Sequence, residues 1–519
     1  MPDAALAGAL RFGVATMPWL VILPLLGMIA AVLLGRRAHW VLAPVGAGCI
    51  ALAAALVVLV WNGGVQTYAL GGWSPPLGIL LRADGLSAAF ILTTAVVTTG
   101  AGIYATAGFR TPPTGNSHVG QSFWPALMAL WTALNAVFLG NDLFNLYVAL
   151  ELMTLGAVIL VALEGKAETL AAAMRYLMFA LLGSLAYLAG TVLLYGGYGT
   201  LDMTLLAAAA GRDPATLTAC ALMTAGLMAK AALFPLHVWL PPAHAGAPPP
   251  ASALLSGLVT KAAFYLIVRL WFDVLPDSLG AYGAHLLGAF GAAAILVGST
   301  MAMRQVRLKL LVAYSTVAQL GYLFVMFPLA GLGTQVQPWA AGAFTGGIFH
   351  ALSHALAKAA MFLAVGAMAA GAGHDRIAGL AGMARHLPMA VFAFGLSGLT
   401  LMGLPPSGGF VAKWLMLTSA LASGQWWWAA VMLAGGLLAA AYLFRALGHA
   451  FATDTGPSTG GGTGGGTGGG AEPAFAPVPR RMQVVPLLLA LLSVLLGLAS
   501  MAPFLLLGIG RAPSADEGF

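Results

Sequence analysis

Long apolar stretches constrain the fold of this chain more than any other feature, because they recur along almost all of its 519 residues. Each is roughly 18 residues or longer, which is enough for a helix to cross the hydrocarbon core of a bilayer. Backbone polar groups cannot stay unpaired in lipid, so the pattern predicts an all-α polytopic membrane protein without β-strands. About fourteen transmembrane helices are expected, over residues 14–34, 40–60, 84–107, 122–140, 143–163, 171–195, 215–239, 250–271, 281–302, 308–329, 339–371, 388–422, 426–447 and 484–508.

Charged residues make up only 7% of the chain, against about 25% in a typical soluble domain. Little of the protein therefore lies outside the bilayer. The cysteines, Cys49 and Cys220, are too few for a disulfide framework or a cysteine-ligated cluster. The sequence also lacks Walker, dinucleotide-binding and haem-ligation patterns, so we predict no cofactor. The chain is then neither an ATPase nor a redox catalyst by itself, and its energy must come from an ion gradient or a partner.

The lysines and arginines between the apolar stretches predict the orientation of the chain. With the N-terminus outside, the inner loops and helix ends carry most of these cations: Arg36, Arg37, Arg110, Lys166, Arg175, Arg304, Arg307, Lys309, Arg376, Arg385, Arg445, Arg480 and Arg481. The outer ones carry Arg11, Arg82, Arg212, Arg269 and Arg511. This asymmetry predicts that both termini lie on the outer side of a bacterial plasma membrane. The first apolar stretch has no evident cleavage site and is interpreted as a retained helix.

Predicted helices 7 and 12 are interrupted, the first near Phe234-Pro235 and the second over Leu404–Gly409. Paired interruptions of this kind are typical of inverted-repeat transporters. We therefore expect two inverted five-helix repeats, helices 4–8 and 9–13, with broken helices 7 and 12 in corresponding places. The predicted domains are helices 1–3 over 1–121, the first repeat over 122–272, the second repeat over 280–450, a linker over 451–483, and helix 14 with its tail over 484–519.

The linker contains a Gly/Thr-rich run over residues 455–473. Such a composition is typical of flexible connections that do not join a packed body. The sequence therefore predicts that helix 14 is loosely tethered and peripheral.

Helices 5, 7 and 8 each carry a charge that is costly in hydrocarbon, namely Glu151, Lys230 and Lys261. Ionisable residues inside a membrane are functional candidates by default. A Glu151–Lys230 pair would act as a switch, because the lysine holds its proton when paired and releases it when separated, and Lys261 would accept that proton through water. The alternatives are a purely structural ion pair, or lysines that extend to the membrane interface.

Helix 11 adds His350, His354 and Lys358 at i, i+4 and i+8, which lie on one helical face. Histidine titrates in the physiological range, so this stripe suits a proton relay. Polar contacts between helices and a metal site are the alternatives, although no further metal ligand lies on the stripe. Lys413 in helix 12 corresponds to Lys230 in the first half. Supporting positions near the breaks are His237, Pro235, Pro405 and Pro406.

With these residues the chain resembles the antiporter-like subunits of respiratory complex I and their relatives in Mrp-type cation/proton antiporters and membrane-bound hydrogenases. The matching motifs are NDLFNLYVALEL at 141–152, RYLMFALLGSLAYLAGTVLLYGGYGT at 175–200, MAKAALFPLHVWLPPAHAGAPPPASALLSGLVTKAAFYLIVR at 228–269, HALSHALAKAAMFLAVGAM at 350–368 and GLPPSGGFVAKW at 403–414. The resemblance covers roughly residues 80 to 450, and its motifs occur in order at fitting spacing.

The resemblance implies a role for each residue of the series. Glu151 and Lys230 would form the input pair, Lys261 would be the central relay, and Lys413 would face the exit. His350 and His354 would lie on the connecting axis. Arg175 stands where the family often has a lysine, and an arginine does not release its proton, so we expect no relay role for it. The chain is similar to the shorter subunits, since it has no long lateral helix, and its helix 5 motif is most similar to the Mrp D-type subunit.

The resemblance implies a proton-translocating subunit of a multi-subunit membrane complex, most directly a monovalent cation (Na+)/proton antiporter of Mrp type. One alternative is a proton-pumping subunit of an NADH:quinone oxidoreductase or a membrane-bound hydrogenase, with electrons handled by other chains. A weaker alternative is a membrane subunit of an inorganic carbon uptake system. The expected partners are other membrane subunits, protons, Na+ and the bilayer, with no nucleic acid.

Overall fold

Helices form most of the chain, because its apolar stretches can bury side chains and pair their backbone only in this way. The computed structural model describes residues 16–109, 118–275, 280–331, 338–452 and 475–511. Within these ranges, eleven helical stretches are long and apolar enough to cross a membrane. One of them, Thr16–Gly63, contains predicted helices 1 and 2. Predicted helices 7 and 12 each occur as two shorter helices, so every predicted membrane segment has a helical counterpart.

The helices of the first half end close to the predicted boundaries. The membrane helices and the two parts of the break are α1 Thr16–Leu34, α2 Leu42–Gly63, α3 Gly85–Gly108, α4 His118–Leu139, α5 Leu143–Ala162, α6 Ala167–Tyr198, α7 Pro214–Lys230, α8 Leu240–Gly246 and α9 Pro249–Val274. Two further short helices, Met203–Ala209 and Met383–His386, lie in connections. Helices α7 and α8 are the two parts of broken helix 7. Helix α9 contains two π-helical segments, Leu255–Val259 and Arg269–Val274.

The second half repeats this plan, with a broken helix in the corresponding place. Its helices are α10 Gly280–Met303, α11 Leu308–Ala330, α12 Pro338–Ala372, α13 Pro388–Met402, α14 Gly408–Ala422, α15 Trp426–Phe451, α16 Arg481–Leu498 and α17 Met501–Gly508. Helices α13 and α14 are the two parts of broken helix 12, and α16 is predicted helix 14.

Aspartates cap several helices of the first half. Asp84, Asp142 and Asp213 precede α3, α5 and α7, and each carboxylate accepts a hydrogen bond from a backbone N–H group in the first turn. Such a cap pairs donors that a helix start leaves free. Hydrogen bonds from the Thr216 hydroxyl and backbone N–H hold the pKa of Asp213 below its ordinary value. Asp142 therefore has a structural role as a helix cap.

The connection between α2 and α3 departs from the expectation of a chain without strands. Here β1, Gln66–Ala69, pairs antiparallel with β2, Leu80–Ala83, and Gln66 lies opposite Ala83. A polar connection between two membrane helices satisfies its own backbone groups when it folds back as a hairpin. The hydropathy pattern contains no signal for such short strands.

A buried ion pair joins the hairpin end of α3 to the end of α9. The guanidinium of Arg269 donates to both carboxylate oxygens of Asp84, at 2.6 Å each, and also to Asp273 at 2.6 Å. Burial alone would raise the pKa of Asp84, but the adjacent Arg269 charge holds this pKa below its ordinary value. Since both partners are buried, the pair fixes α3 against α9.

The two broken helices end in the same way. In α7 the carbonyl of the penultimate residue, Ala229, accepts a hydrogen bond from Trp239 Nε1 at 2.9 Å. In α13 the carbonyl of the penultimate residue, Leu401, accepts one from Lys413 Nζ at 2.6 Å. Each break also contains a cis peptide bond, Phe234–Pro235 and Pro405–Pro406. Carbonyl groups freed by a break must be paired inside a membrane, and both halves achieve this with a side chain from beyond the break.

Predicted helix 14 lies on the outside of the bundle, but it packs more closely than a loosely tethered helix would. Helix α16 packs against α12, α13 and α3, and Ser493 Oγ lies 3.0 Å from Thr400 Oγ1 of α13. A Cβ atom at Gly497 would lie 2.3 Å from the Pro406 carbonyl oxygen, so only glycine allows this close approach. Helix α16 therefore covers the second break. The Gly/Thr-rich run 455–473 lies outside the described residues.

Candidate functional site

The predicted input pair forms between α5 and α7. Lys230 Nζ lies 3.5 Å from Glu151 Oε1 and donates a hydrogen bond of 2.9 Å to Thr154 Oγ1. Ser184 of α6 donates a second hydrogen bond to Glu151. The lysine is buried, whereas the Glu151 side chain keeps 22% of its surface exposed. The ammonium is thus held by one hydroxyl and one loosely placed carboxylate, an arrangement that can separate without unfolding a helix.

Lys261 lies in α9 directly after the first π-helical segment. Its ammonium donates to the Ser256 carbonyl, five residues earlier, and lies 3.5 Å from Thr260 Oγ1. A π-helical turn widens the backbone and leaves carbonyl groups open to other donors, which explains why a lysine can bond within its own helix here. Lys261 is completely buried, and neither of these hydrogen-bonding partners is a carboxylate.

Lys358 of α12 is completely buried against α11. Its ammonium donates to the Val312 carbonyl at 3.0 Å and to Ser315 Oγ at 2.5 Å. Neutral oxygens surround this cation, so its charge has no counter-ion among its hydrogen-bonding partners. A buried ammonium without a counter-ion costs free energy, which favours a Lys358 amine that is protonated only transiently.

His350 and His354 stack one turn apart on α12, as their spacing predicts. Their ring centroids are 5.6 Å apart with an interplanar angle of 11°. The ring of Tyr322 from α11 follows, 5.5 Å from the His350 ring. Lys413 Nζ lies on the same tyrosine, 4.0 Å from its ring centroid. The structure therefore brings Lys413, Tyr322, His350 and His354 together in one continuous group.

Lys413 differs from the other lysines because it borders an open groove. This groove has a volume of about 350 Å³ and is lined mainly by apolar side chains of α13, α14 and α15. The chain between residues 280 and 450 contains a single acidic residue, Asp375, which pairs with Arg307 at 3.0 Å. Lys413 therefore has no carboxylate available from its own half.

The two histidines of the first break lie in different environments. His237 is half-buried and stacks on Phe234, with ring centroids 5.4 Å apart. His244 in α8 is completely buried and stacks on Phe362 of α12 at 4.6 Å. Sequence reasoning placed His237 in the site and missed His244. The position of His244 beside α12 is set by the packing of α8, which the sequence does not encode locally.

A polar cavity of about 510 Å³ reaches towards His244. Phe362, which stacks on His244, lines this cavity together with Lys309, and Lys309 Nζ donates to the Ala247 carbonyl. The cavity also contains charged side chains from several connections: Glu164, Lys166, Glu168, Arg307 and Asp375. The cavity therefore approaches the buried series from the face where the predicted inner cations lie, and Phe362 separates the two.

Sequence reasoning also missed the neutral partners of the series, namely Thr154, Ser184, Ser256, Ser315 and Tyr322. Only one of them carried a usable signal: Thr154 follows Glu151 at i+3 and thus shares its helical face. Ser256 shares α9 with Lys261, and its contact depends on the π-helical turn between them. Ser184, Ser315 and Tyr322 lie on other helices than the groups they contact, so their positions depend on tertiary packing.

The remaining predicted positions lie at the surface of the described chain. Arg175 is exposed, consistent with its exclusion from the relay. Pro235 lies exposed in the first break, and Pro405 and Pro406 lie exposed in the second. These prolines therefore shape the breaks and do not line the buried series.

Comparison with known proteins gives one family and two kinds of relative. The family described as NADH:quinone oxidoreductase/Mrp antiporter, transmembrane, matches residues 140–439. NADH-quinone oxidoreductase subunit N of Desulforudis audaxviator is 34% identical over 448 residues, which cover 83% of this chain and 85% of that protein. The D-type subunit of the Na(+)/H(+) antiporter of Bacillus subtilis is 27% identical over 407 residues, which cover 78% of this chain and 79% of that protein.

A solved structure extends the similarity to the whole fold. One chain of the Mrp complex from Dietzia sp. DQ12-45-1b superimposes with a TM-score of 0.83 at 26% identity, and the match covers 96% of this chain and 97% of that chain.

Proposed function

Because the chain belongs to the NADH:quinone oxidoreductase/Mrp antiporter family of transmembrane proteins, we propose that it translocates protons as one subunit of a larger membrane complex. The complex we favour is a monovalent cation/proton antiporter of the Mrp type, with Na+ as the exchanged cation. The oxidoreductase and antiporter relatives are both named as subunits, and together with the Mrp complex they support assembly with other membrane subunits.

The observation that carries this proposal is the Glu151–Lys230 pair at the start of a buried series of titratable side chains. When Glu151 lies beside Lys230, the carboxylate stabilises the protonated lysine. When the two separate, the ammonium loses its counter-ion and gives its proton to the next acceptor, Lys261. The proton then reaches Lys358, His354 and His350, and leaves at Lys413. Only N–H bonds of these side chains and O–H bonds of the intervening water are made and broken in this sequence.

Water completes the path between these groups. The ring nitrogens of His244, His350 and His354 have no hydrogen-bonding partner among the described protein residues, although all three rings are buried. Buried polar atoms in proteins are nearly always hydrogen-bonded, and ordered water serves where no protein group is near. We therefore expect water molecules beside these rings, and such molecules conduct protons between side chains that are not in contact.

The orientation of the path follows from the loop charges. Under the positive-inside rule, the cavity lined by Lys309 and Arg307 faces the cytoplasm, and both termini of the chain face outwards. The ion pair of Arg269 with Asp84 then lies at the outer end. The path then begins on the inner side and ends at Lys413, which connects to the outer side.

The proposal is tested with the complete complex in sealed vesicles, by following internal pH while external Na+ is varied at fixed external pH. A Na+ gradient that drives proton movement in the opposite direction supports the antiporter. Proton movement that is independent of Na+ and requires an electron donor and a quinone would refute the antiporter assignment and support a subunit of an oxidoreductase instead. Absence of proton movement under both conditions would refute proton translocation itself.

The second candidate is a proton-pumping subunit of an NADH:quinone oxidoreductase or a membrane-bound hydrogenase. The oxidoreductase relative, which is 34% identical over most of its length, favours it. Both candidates use the same buried series, since they differ only in what drives the separation of Glu151 from Lys230. Neighbouring genes distinguish them cheaply, because an oxidoreductase needs iron–sulfur and flavin subunits.

A further inference from the structure

The last lysine of the series, Lys413, is held by a neutral aromatic ring. Its ammonium lies 4.0 Å from the ring centroid of Tyr322, well within the roughly 6 Å range of cation–π attraction. Its other contact is the Leu401 carbonyl at 2.6 Å, at the C-terminal end of α13, where the helix dipole is negative. Both contacts stabilise a cation, and neither carries a charge.

Tyr322 is fixed in this position from its other end. Its hydroxyl donates to the Met432 carbonyl of α15 at 2.9 Å, and the side chain is fully buried. Gly435 leaves room for the hydroxyl, since a Cβ atom there would lie 2.5 Å from it. The hydrogen bond and the tight packing prevent the ring from turning away from Lys413.

Few other groups act on Lys413. Among the helices packed against α14, α12 presents His350 and His354, and α11 presents Tyr322. Helix α13 contains no titratable side chain, and α16 contains only Arg481, which donates to Thr106 Oγ1. The titratable side chains of α15 are Tyr442, Arg445 and His449, of which Arg445 binds the carbonyls of Met303 and Gln305. The state of Lys413 therefore depends mainly on the ring beneath it and on the histidines beyond that ring.

We propose that Tyr322 is the positioning residue of the exit lysine, which holds the Lys413 ammonium on its ring face in place of a carboxylate. This inference rests on the proposed function and assigns a residue to it. When Lys413 gives up its proton, a neutral amine remains beside a neutral ring, so no buried charge is left behind. When Lys230 does the same, the Glu151 anion remains. The ring lies 4.0 Å from the Lys413 ammonium and 5.5 Å from the His350 ring, and a proton passes between these two groups through water beside the ring.

The test measures the protonation of Lys413 directly. The groove beside Lys413 admits a small amine-reactive reagent such as acetic anhydride, which attacks only the neutral amine. Acetylation of Lys413 in the intact complex is quantified by mass spectrometry against pH for wild type, Tyr322→Phe, Tyr322→Leu and Tyr322→Met. The same preparations are assayed for proton transport in vesicles.

We expect Tyr322→Phe to follow the wild-type labelling curve, because the ring face remains. Without the ring the cation is less stable, so Tyr322→Leu and Tyr322→Met should be acetylated at a pH lower by about one unit. The matched control is Tyr187→Leu, because Tyr187 is also buried and donates its hydroxyl to a backbone carbonyl, that of Leu143. That variant should leave the Lys413 curve unchanged.

An unshifted curve in whichever of the Leu and Met variants assembles would overturn the proposal, as would a wild-type Lys413 that resists acetylation at every pH. A shift as large in Tyr187→Leu would show a general packing effect and would overturn it too. If labelling shifts as expected but the wild-type complex moves no protons, the positioning role stands and the proposed function fails.

Discussion

The two broken helices meet the same structural demand with different chemistry. At the first break, Trp239 pairs the free carbonyl of Ala229, and Lys230 remains available for Glu151. At the second break, Lys413 itself pairs the free carbonyl of Leu401 and rests on the Tyr322 ring. The first half thus separates the structural task from the proton-carrying task, whereas the second half gives both tasks to one lysine.

The comparison of Lys230 with Lys413 shows two ways to stabilise a buried ammonium. A carboxylate attracts an ammonium strongly and over a long range, but it leaves a buried anion when the proton departs. A ring face and a helix end attract it more weakly and leave nothing charged behind. The carboxylate pair suits an input site, which must hold its proton until the pair is separated. The ring face and helix end suit an exit site, which must release its proton.

The largest effect is expected when the carboxylate pair is broken. Lys230→Ala should reduce proton movement in vesicles to less than about a tenth of wild type, because Glu151 is left without its cation in a half-buried place. Insertion and assembly should remain intact. The matched control is Arg175→Ala, which alters an exposed cation and should stay within about twofold of wild type. Near-normal transport by Lys230→Ala would remove Lys230 from the path.

The exit site is tested by replacing Lys413 with a residue that keeps its proton. Lys413→Arg keeps a cation for Tyr322 and Leu401, but a guanidinium does not release its proton at physiological pH. We expect proton movement to fall by about tenfold or more while the melting temperature of the complex stays close to that of wild type. Transport close to normal would mean that Lys413 acts as a fixed structural charge and that the exit lies elsewhere.

The structural task of the first break is tested by removing its indole donor. Trp239→Phe leaves the Ala229 carbonyl with only the long backbone hydrogen bond of 3.3 Å from the Ala232 N–H group, so we expect a loss of about 0.5–1.5 kcal/mol of stability, seen as a lower melting temperature. The pH dependence of transport should not change, because Lys230 keeps its partners. Trp271→Phe is the control, since its partner is the Thr224 hydroxyl, which can rotate to another acceptor. A changed pH profile in Trp239→Phe would contradict the division of tasks.

The smallest effect is expected in the connection to α16. Removing a few residues from 455–473 should leave transport within about twofold of wild type, because a Gly/Thr-rich run has length to spare. A large loss would mean that the position of α16 over the second break depends on the reach of this connection.

Much of the fold was predictable from hydropathy alone. Apolar stretches and loop cations are local signals, so the membrane segments and both breaks could be read directly. The strands β1 and β2 and the packing of α16 could not, because short outer hairpins and helix contacts depend on partners distant in sequence. Residue composition did not predict the packing of α16, since a Gly/Thr-rich connection does not imply loose packing.

The site divides in a similar way. Charged residues inside apolar stretches are rare enough to be found individually, so Glu151, Lys230 and Lys413 were identified from sequence. Their neutral partners are common residue types. The roles of Ser184, Ser315 and Tyr322 depend on which helices pack beside them, and the sequence gives no local signal for this packing. His244 is similar, because its burial against Phe362 is a property of the packed helices.

The cover that α16 forms over the second break has a consequence for how the molecule is made. The backbone of Pro406 is closed off by Gly497, which is synthesised about ninety residues later, at roughly 5–20 residues per second. The first break is closed by Trp239, only ten residues beyond Ala229. The first break can therefore close while the ribosome is still making the second half, whereas the second break must wait in the membrane until α16 has been synthesised.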